Sequence, residues 1–346
     1  MNSNSKPDPT GENSRRNFLQ RIGAVAAVAP VVADVAAPAP ANAAQADAIP
    51  KCRFGKHMIS RLVIGCNTLG NLSHLSRFID LEMQKYNTQE QLLADFKRAL
   101  ELGINCVEAA GGPLVDKVNQ LGIGTMLWTA RGGPKPDKEN PKYPWRSAAE
   151  IAKRGPISIH QGGDIDILWR QGKMDKARDY LKTVRDTGLL VAITSHRPEV
   201  FDIVESQGWD VDYYMTCLYK YGRPRTEWEK LFSFDPKLAP VELYHSRESD
   251  SPYYGGETAF VRGDPEDMFK VVKATRKPCF VYKILASGRL CEKPEFVEEA
   301  FKRTFENIKP TDVVVVGHYT KHEDQYGINA GLVRKYGSNT GTPASA

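Results

Sequence analysis

A chain of 346 residues with 41% hydrophobic content is long enough for one large domain or two small ones. Its formal net charge of +5 is too mild to read as a nucleic-acid footprint. Beyond the first 46 residues no apolar run approaches the roughly 20 residues that cross a bilayer, which argues against stable membrane insertion.

The N-terminus carries the most specific local signal. Ser14, Arg15, Arg16, Asn17, Phe18 and Leu19 are followed almost at once by an apolar run from Ile22 to Val35, interrupted by Pro30 and Asp34. This is the pattern of a twin-arginine export signal, an address read by the translocation machinery rather than an anchor. Small-x-small sites at Ala41 to Ala43 and Ala44 to Ala46 suit a leader peptidase. The expectation is therefore a cleaved leader over residues 1–46, one domain over 47–340, a disordered tail over 341–346, and a periplasmic or secreted destination. Chains with such signals cross the membrane folded, so a bound cofactor is expected as well.

Eight short β-branched runs follow in the mature region: Ser60 to Asn67, Asn105 to Ala110, Thr125 to Arg131, Pro156 to Gln161, Leu189 to His196, Val211 to Tyr219, Pro278 to Leu285 and Asp312 to Gly317. Amphipathic segments lie between most of them. Thr88 to Leu102 opens on a Thr88/Gln91 cap pattern, carries Leu92, Phe96 and Leu100 on one face, and stops at Gly103. Met174 to Thr187 repeats that logic and ends at Gly188, and Pro294 to Ile308 opens on a proline suited to a first helical turn. Strands buried on both faces and joined by helices predict a parallel sheet, and eight such units predict a (β/α)₈ barrel, with a doubly wound open sheet as the alternative.

Long insertions after the first, third and sixth runs (residues 68–86, 132–145 and 220–264) would emerge at the C-terminal face, where barrel active sites are built. The last holds Trp228, Phe232, Phe234, Tyr244, His245, Tyr253, Tyr254 and Phe260. Those rings suit either a cover over an organic substrate, a sugar among others, or a small core of the loop's own. Six cysteines show no C-x-x-C or other paired metal-ligand spacing, and Cys66, Cys106, Cys217 and Cys279 read as free thiols on strands.

The polar residues at the strand ends form a set: Cys66 and Asn67, Glu108, Arg131, His160 and Gln161, Thr194 with Ser195 and His196, Tyr219, Lys283, and His318. Such a rim offers imidazoles to polarise a carbonyl, a carboxylate to orient or charge them, and cations to hold an anionic group. It also offers His160, His196 and His318, with Glu108, as candidate ligands of a divalent metal.

Ile59 to Cys66, Leu102 to Ala110, Ala192 to Glu199, Lys283 to Leu290 and Val313 to Gly317, with Gln325 and Asn329 beyond, together resemble the aldo/keto reductase superfamily in order and spacing. The resemblance implies carbonyl reduction with NADP(H) by a tetrad of Asp, Tyr, Lys and His. Glu108 stands at the Asp position, Arg131 near the lysine and His160 at the histidine, while Pro113 replaces the tyrosine. It further implies nucleotide contacts at Thr194, Ser195, Tyr219, Lys283, Gln325 and Asn329. With no phenol to donate a proton, hydride chemistry is in question, and Arg131 cannot give up a proton as a lysine can. Three readings stand: an exported oxidoreductase acting on a carbonyl or sugar-type molecule, a non-redox barrel enzyme of isomerase, epimerase or lyase type, and a non-catalytic binding protein.

Overall fold

The structure, a computed structural model, describes residues 48–136, 144–220 and 260–338. The leader, the C-terminal tail and, except for Phe260, the aromatic residues of the 220–264 insertion lie outside these. Two antiparallel strands, β1 (Lys51–Phe54) and β2 (His57–Ser60), come first, joined through Gly55, which takes the left-handed conformation that a tight turn requires. Eight parallel strands follow: β3 (Leu62–Ile64), β4 (Cys106–Val107), β5 (Leu127–Gly132), β6 (Ser158–Gln161), β7 (Leu190–Ser195), β8 (Tyr213–Cys217), β9 (Cys279–Tyr282) and β10 (Val313–Val316). They close in sequence order, with β10 pairing β3, so the sheet is a barrel rather than an open doubly wound sheet.

All eight expected strands are present, each shorter than the apolar run that announced it. The first expected run divides in three, with β3 in the middle. Ser60 ends the hairpin, and Cys66 and Asn67 begin a helical turn, α1 (Cys66–Leu69). The insertion behind it is not loop alone, because Ser76 caps α2 (Arg77–Tyr86) by accepting the Ile79 amide. The outer helices are α3 (Gln89–Glu101), α4 (Pro113–Asn119), α5 (Ala148–Ala152), α6 (Ile165–Arg170), α7 (Met174–Arg185), α8 (Pro198–Ser206), α9 (Asp264–Ala274), α10 (Pro294–Asn307) and α11 (Gln325–Tyr336). The Thr88 hydroxyl accepts from the Gln91 amide as its spacing suggested, and Pro294 sits in the first turn of α10.

Strand pleating splits the apolar residues between two cores. Val314 and Val316 of β10 pack outward with Leu62 and Ile64 against the helices. Val313 and Val315 point inward with Val63, Cys106, Ala192 and Met215. Phe54 of the hairpin joins this inner core, its ring centroid 4.8 Å from Tyr213 and 4.9 Å from Phe280. The aromatic cluster fills the end of the barrel at which the strands begin.

Arg61 fastens the seam next to it. This buried guanidinium donates to the carbonyls of Lys309 (2.7 Å), Asp312 (2.9 Å) and Gly337 (2.6 Å) and lies 4.9 Å from the centroid of the Phe305 ring. It thereby ties the start of β3 to the chain on both sides of β10. Replacing it leaves three carbonyls to find other donors. Arg61→Met is expected to lower unfolding free energy by about 3 kcal/mol, read from the midpoint and slope of urea denaturation.

Candidate active site at the barrel mouth

The opposite end of the barrel opens into a cavity of about 710 Å³ whose lining includes Glu108, Arg131, Thr194, His196, Tyr282 and Lys283. The pleat explains most of that selection. Cys106 lies in the inner core, and Glu108 is two residues further on. Ala192 is likewise an inner residue, and Thr194 and His196 continue its face. By the same rule Ser195 faces outward, and its hydroxyl donates to Asp166 Oδ1 at 2.5 Å rather than meeting the cavity.

Arg131 and His160 are register partners on neighbouring strands, and Glu108 follows the next strand over. The Glu108 Oε1 atom is 3.3 Å from Arg131 Nη2 and 3.3 Å from His160 Nε2, and Oε2 accepts from the Cys66 amide at 3.4 Å. Burial alone would raise the Glu108 carboxyl. The Arg131 guanidinium and the His160 ring outweigh that and hold it well below the usual carboxylate range. Burial pushes the fully enclosed His160 ring the other way, so it stays neutral at pH 7. Burial pushes the Cys66 thiol up, so it remains protonated 3.6 Å from Arg131. Close packing sets this corner. A Cβ at Gly132 would fall 1.8 Å from the Tyr180 hydroxyl, and one at Gly111 would fall 2.0 Å from the Trp128 ring.

A second group reaches the same cavity through His196, with Asp166 of α6 behind it. Asp166 Oδ2 is 2.7 Å from His196 Nδ1 and also accepts the His196 amide at 3.2 Å. A carboxylate on Nδ1 fixes the ring orientation and leaves Nε2 as the nitrogen for chemistry. The edge of the His196 ring lies against Tyr282, with centroids 5.7 Å apart. Neither Asp166 nor Tyr282 was singled out from the sequence. Asp166 sits in a short helix whose apolar residues mask it, although Tyr282 shares the inward parity of Phe280 and was open to that inference.

The residues matched to a nucleotide site divide. Thr194, Lys283 and Gln325 line the cavity. Ser195 is engaged by Asp166, Tyr219 packs on Phe260 with centroids 5.1 Å apart, and Asn329 is buried in α11. The last three are not part of the cavity wall. Lys321, which does line the cavity, is paired with Glu82 at 2.6 Å. Pro113 simply opens α4. The three candidate metal histidines also go separate ways: His160 to Glu108, His196 to Asp166, and His318 onto the Tyr326 ring, stacked at 4.1 Å. Among the described residues no three His, Cys, Asp or Glu side chains are grouped to hold a metal ion. All six thiols are free, with Cys66 half-buried and Cys291 exposed.

Fold and site together define the class, a (β/α)₈-barrel protein with two charged clusters on one mouth. No family model matches the sequence, and no curated protein matches it. Among the solved structures with which the chain aligns, three are similar to it at low identity. The glycerol dehydrogenase AKR11B4 from Gluconobacter oxydans aligns over 87% of this chain and 99% of its own, at 12% identity and a TM-score of 0.43. A truncated 3-deoxy-D-arabino-heptulosonate 7-phosphate synthase from Thermotoga maritima aligns over 83% and 90%, at 11% identity and 0.41. The N-acetylmannosamine-6-phosphate 2-epimerase from Clostridium perfringens aligns over 73% and 85%, at 15% and 0.37. These likenesses concern the fold and say nothing of the chemistry.

Burial of His318 makes stability depend on pH. Its ring is pushed down to about 3 from an ordinary 6.5, so above pH 6.5 it is neutral in folded and unfolded chains alike. As pH falls from 6.5 toward 3 the unfolded chain takes up a proton that the folded one refuses, and stability is lost. Between pH 7 and pH 5 the intact protein should lose about 2 kcal/mol more than His318→Phe, which keeps a ring on Tyr326, as measured by denaturant unfolding at the two pH values.

Proposed function

We propose that this chain is a barrel enzyme that moves a carbon-bound proton on a small oxygenated carbonyl compound, in an isomerase, epimerase or lyase reaction. The observation that carries this reading is the Asp166–His196 pair, 2.7 Å apart, whose His196 lines the cavity that also holds Glu108, Arg131 and Lys283. His196 Nε2 takes the proton, and Asp166 stabilises the imidazolium that results. Arg131, balanced by the Glu108 carboxylate, holds the carbonyl or enolate oxygen as negative charge develops on it. His160, neutral and enclosed, keeps the carboxylate in place from the other side.

A second reading, an NADP(H)-dependent oxidoreductase, draws on the convergence of Glu108, Arg131 and His160 and on the placement of Thr194, Lys283 and Gln325 along the cavity. Ser195, Tyr219 and Asn329 do not fit it, and no step is assigned to the nucleotide. One experiment separates the two. A panel of aldoses, ketoses and 2-keto acids in D₂O should show deuterium entering one carbon without added nucleotide, followed by proton NMR. His196→Ala and Asp166→Asn should slow that exchange by about a hundredfold or more. Nucleotide-dependent turnover with no exchange, accompanied by a change in nicotinamide absorbance, would favour the oxidoreductase.

Export through the twin-arginine pathway to the periplasm or beyond belongs to the same proposal and rests on Arg15 and Arg16, outside the described residues. Replacing both by lysine is expected to leave unprocessed protein in the cytoplasm, seen by cell fractionation and immunoblot. Processing and export at the normal rate would remove the localisation reading.

A further inference from the structure

Consecutive residues of a regular strand face opposite ways, yet Tyr282 and Lys283 both line the cavity. β9 ends at Tyr282, and the backbone at Lys283 has left the strand, with φ of +61°, a left-handed conformation that a lysine rarely adopts. Ala286 and Ser287 are also left-handed, at +48° and +52°, and they fold the following turn so that Ser287 Oγ meets Lys283 Nζ at 3.2 Å. Strain of this kind persists where the surrounding structure holds it, and it is concentrated at functional sites. Its effect here is to bring a primary amine into a chamber whose other walls carry His196, Arg131 and His74.

We infer that Lys283 is a nucleophilic amine that condenses with the carbonyl carbon of the substrate. This rests on the carbonyl substrate proposed above and deepens it. The Nζ lone pair attacks the carbonyl carbon, forming a C–N bond as the C=O π pair moves onto oxygen, which takes a proton from solvent water. Loss of water from that carbinolamine gives the iminium, so on this route Arg131 serves the carbonyl and carbinolamine oxygen before it leaves, and nitrogen takes the place of the enolate oxygen in the next step. The electron pair of the adjacent C–H bond then flows toward nitrogen as His196 Nε2 accepts the proton, and reprotonation followed by hydrolysis returns the amine. The amine must be unprotonated to begin, and burial followed by the nearby Arg289 and Arg131 charges pushes Lys283 below the ordinary lysine range, although the Cys217 and Cys66 thiols oppose this. Ser287 Oγ is placed to hold Nζ in one rotamer until the carbonyl arrives.

Reductive trapping on the full-length protein tests this. Dihydroxyacetone with sodium cyanoborohydride should add one ketone-derived group per chain, and peptide mass spectrometry should place it on Lys283. Lys283→Met should abolish the adduct. Fluorodinitrobenzene, which needs no substrate, should label Lys283 at pH 7 about tenfold faster than an exposed lysine. An adduct spread over exposed lysines, or labelling of Lys283 no faster than theirs, overturns the inference. Deuterium exchange that proceeds with no trappable adduct on Lys283 overturns it while leaving the proton-transfer reading intact. An adduct on Lys283 with no exchange across the panel supports it and sinks that reading.

Discussion

A closed ring of parallel strands has no edge and two ends, and in this protein Phe54, Tyr213 and Phe280 fill one of them. Everything polar follows from that closure. With the inner layer packed by Val63, Cys106, Ala192 and Val313, the inward positions one pleat further along are Glu108 and Thr194, at the end left open. The aromatic plug and the charged mouth are thus two levels of one alternation, set about 7 Å apart by the rise of a strand over two residues.

Electrostatics at the mouth are organised as separate pairs rather than one cluster. Glu108 is neutralised locally by Arg131 and a neutral His160, and His196 is held by Asp166. A buried carboxylate in each pair would be costly alone, and each is matched by a donor within hydrogen-bonding or ion-pair range. Glu82, which also lines the cavity, is paired with Lys321, and the other titratable walls include Arg131, Lys283, His196 and His74, the last pushed down to about 3 by burial, followed by Lys283 and His196. That balance suits an oxygen atom gaining negative charge.

The eight βα units were legible because apolar runs and helix caps are local signals. Thr88 with Gln91 and the opening proline of α10 show up in the structure as their patterns imply. The opening hairpin was missed, since its alternation over Lys51–Phe54 is only four residues long and Ser60 was absorbed into the next strand. Within the site, Glu108, Arg131 and His160 were legible as strand-end residues. Thr194 and Ser195 were taken together, although a pleat of period two lets only one of them face inward.

The sequence by itself determined the barrel, the order of its strands and the ring of polar residues at their ends, because periodicity and parity are carried by neighbours along the chain. The tertiary structure alone decided which of those residues act in concert. Asp166 reaches His196 from a helix thirty positions earlier, and Lys283 lines the cavity at the point where its backbone leaves the strand conformation. Tyr219 is turned away by Phe260, from the far end of a long insertion. Contacts made across the barrel leave no periodic trace in the chain, so no local pattern announces them.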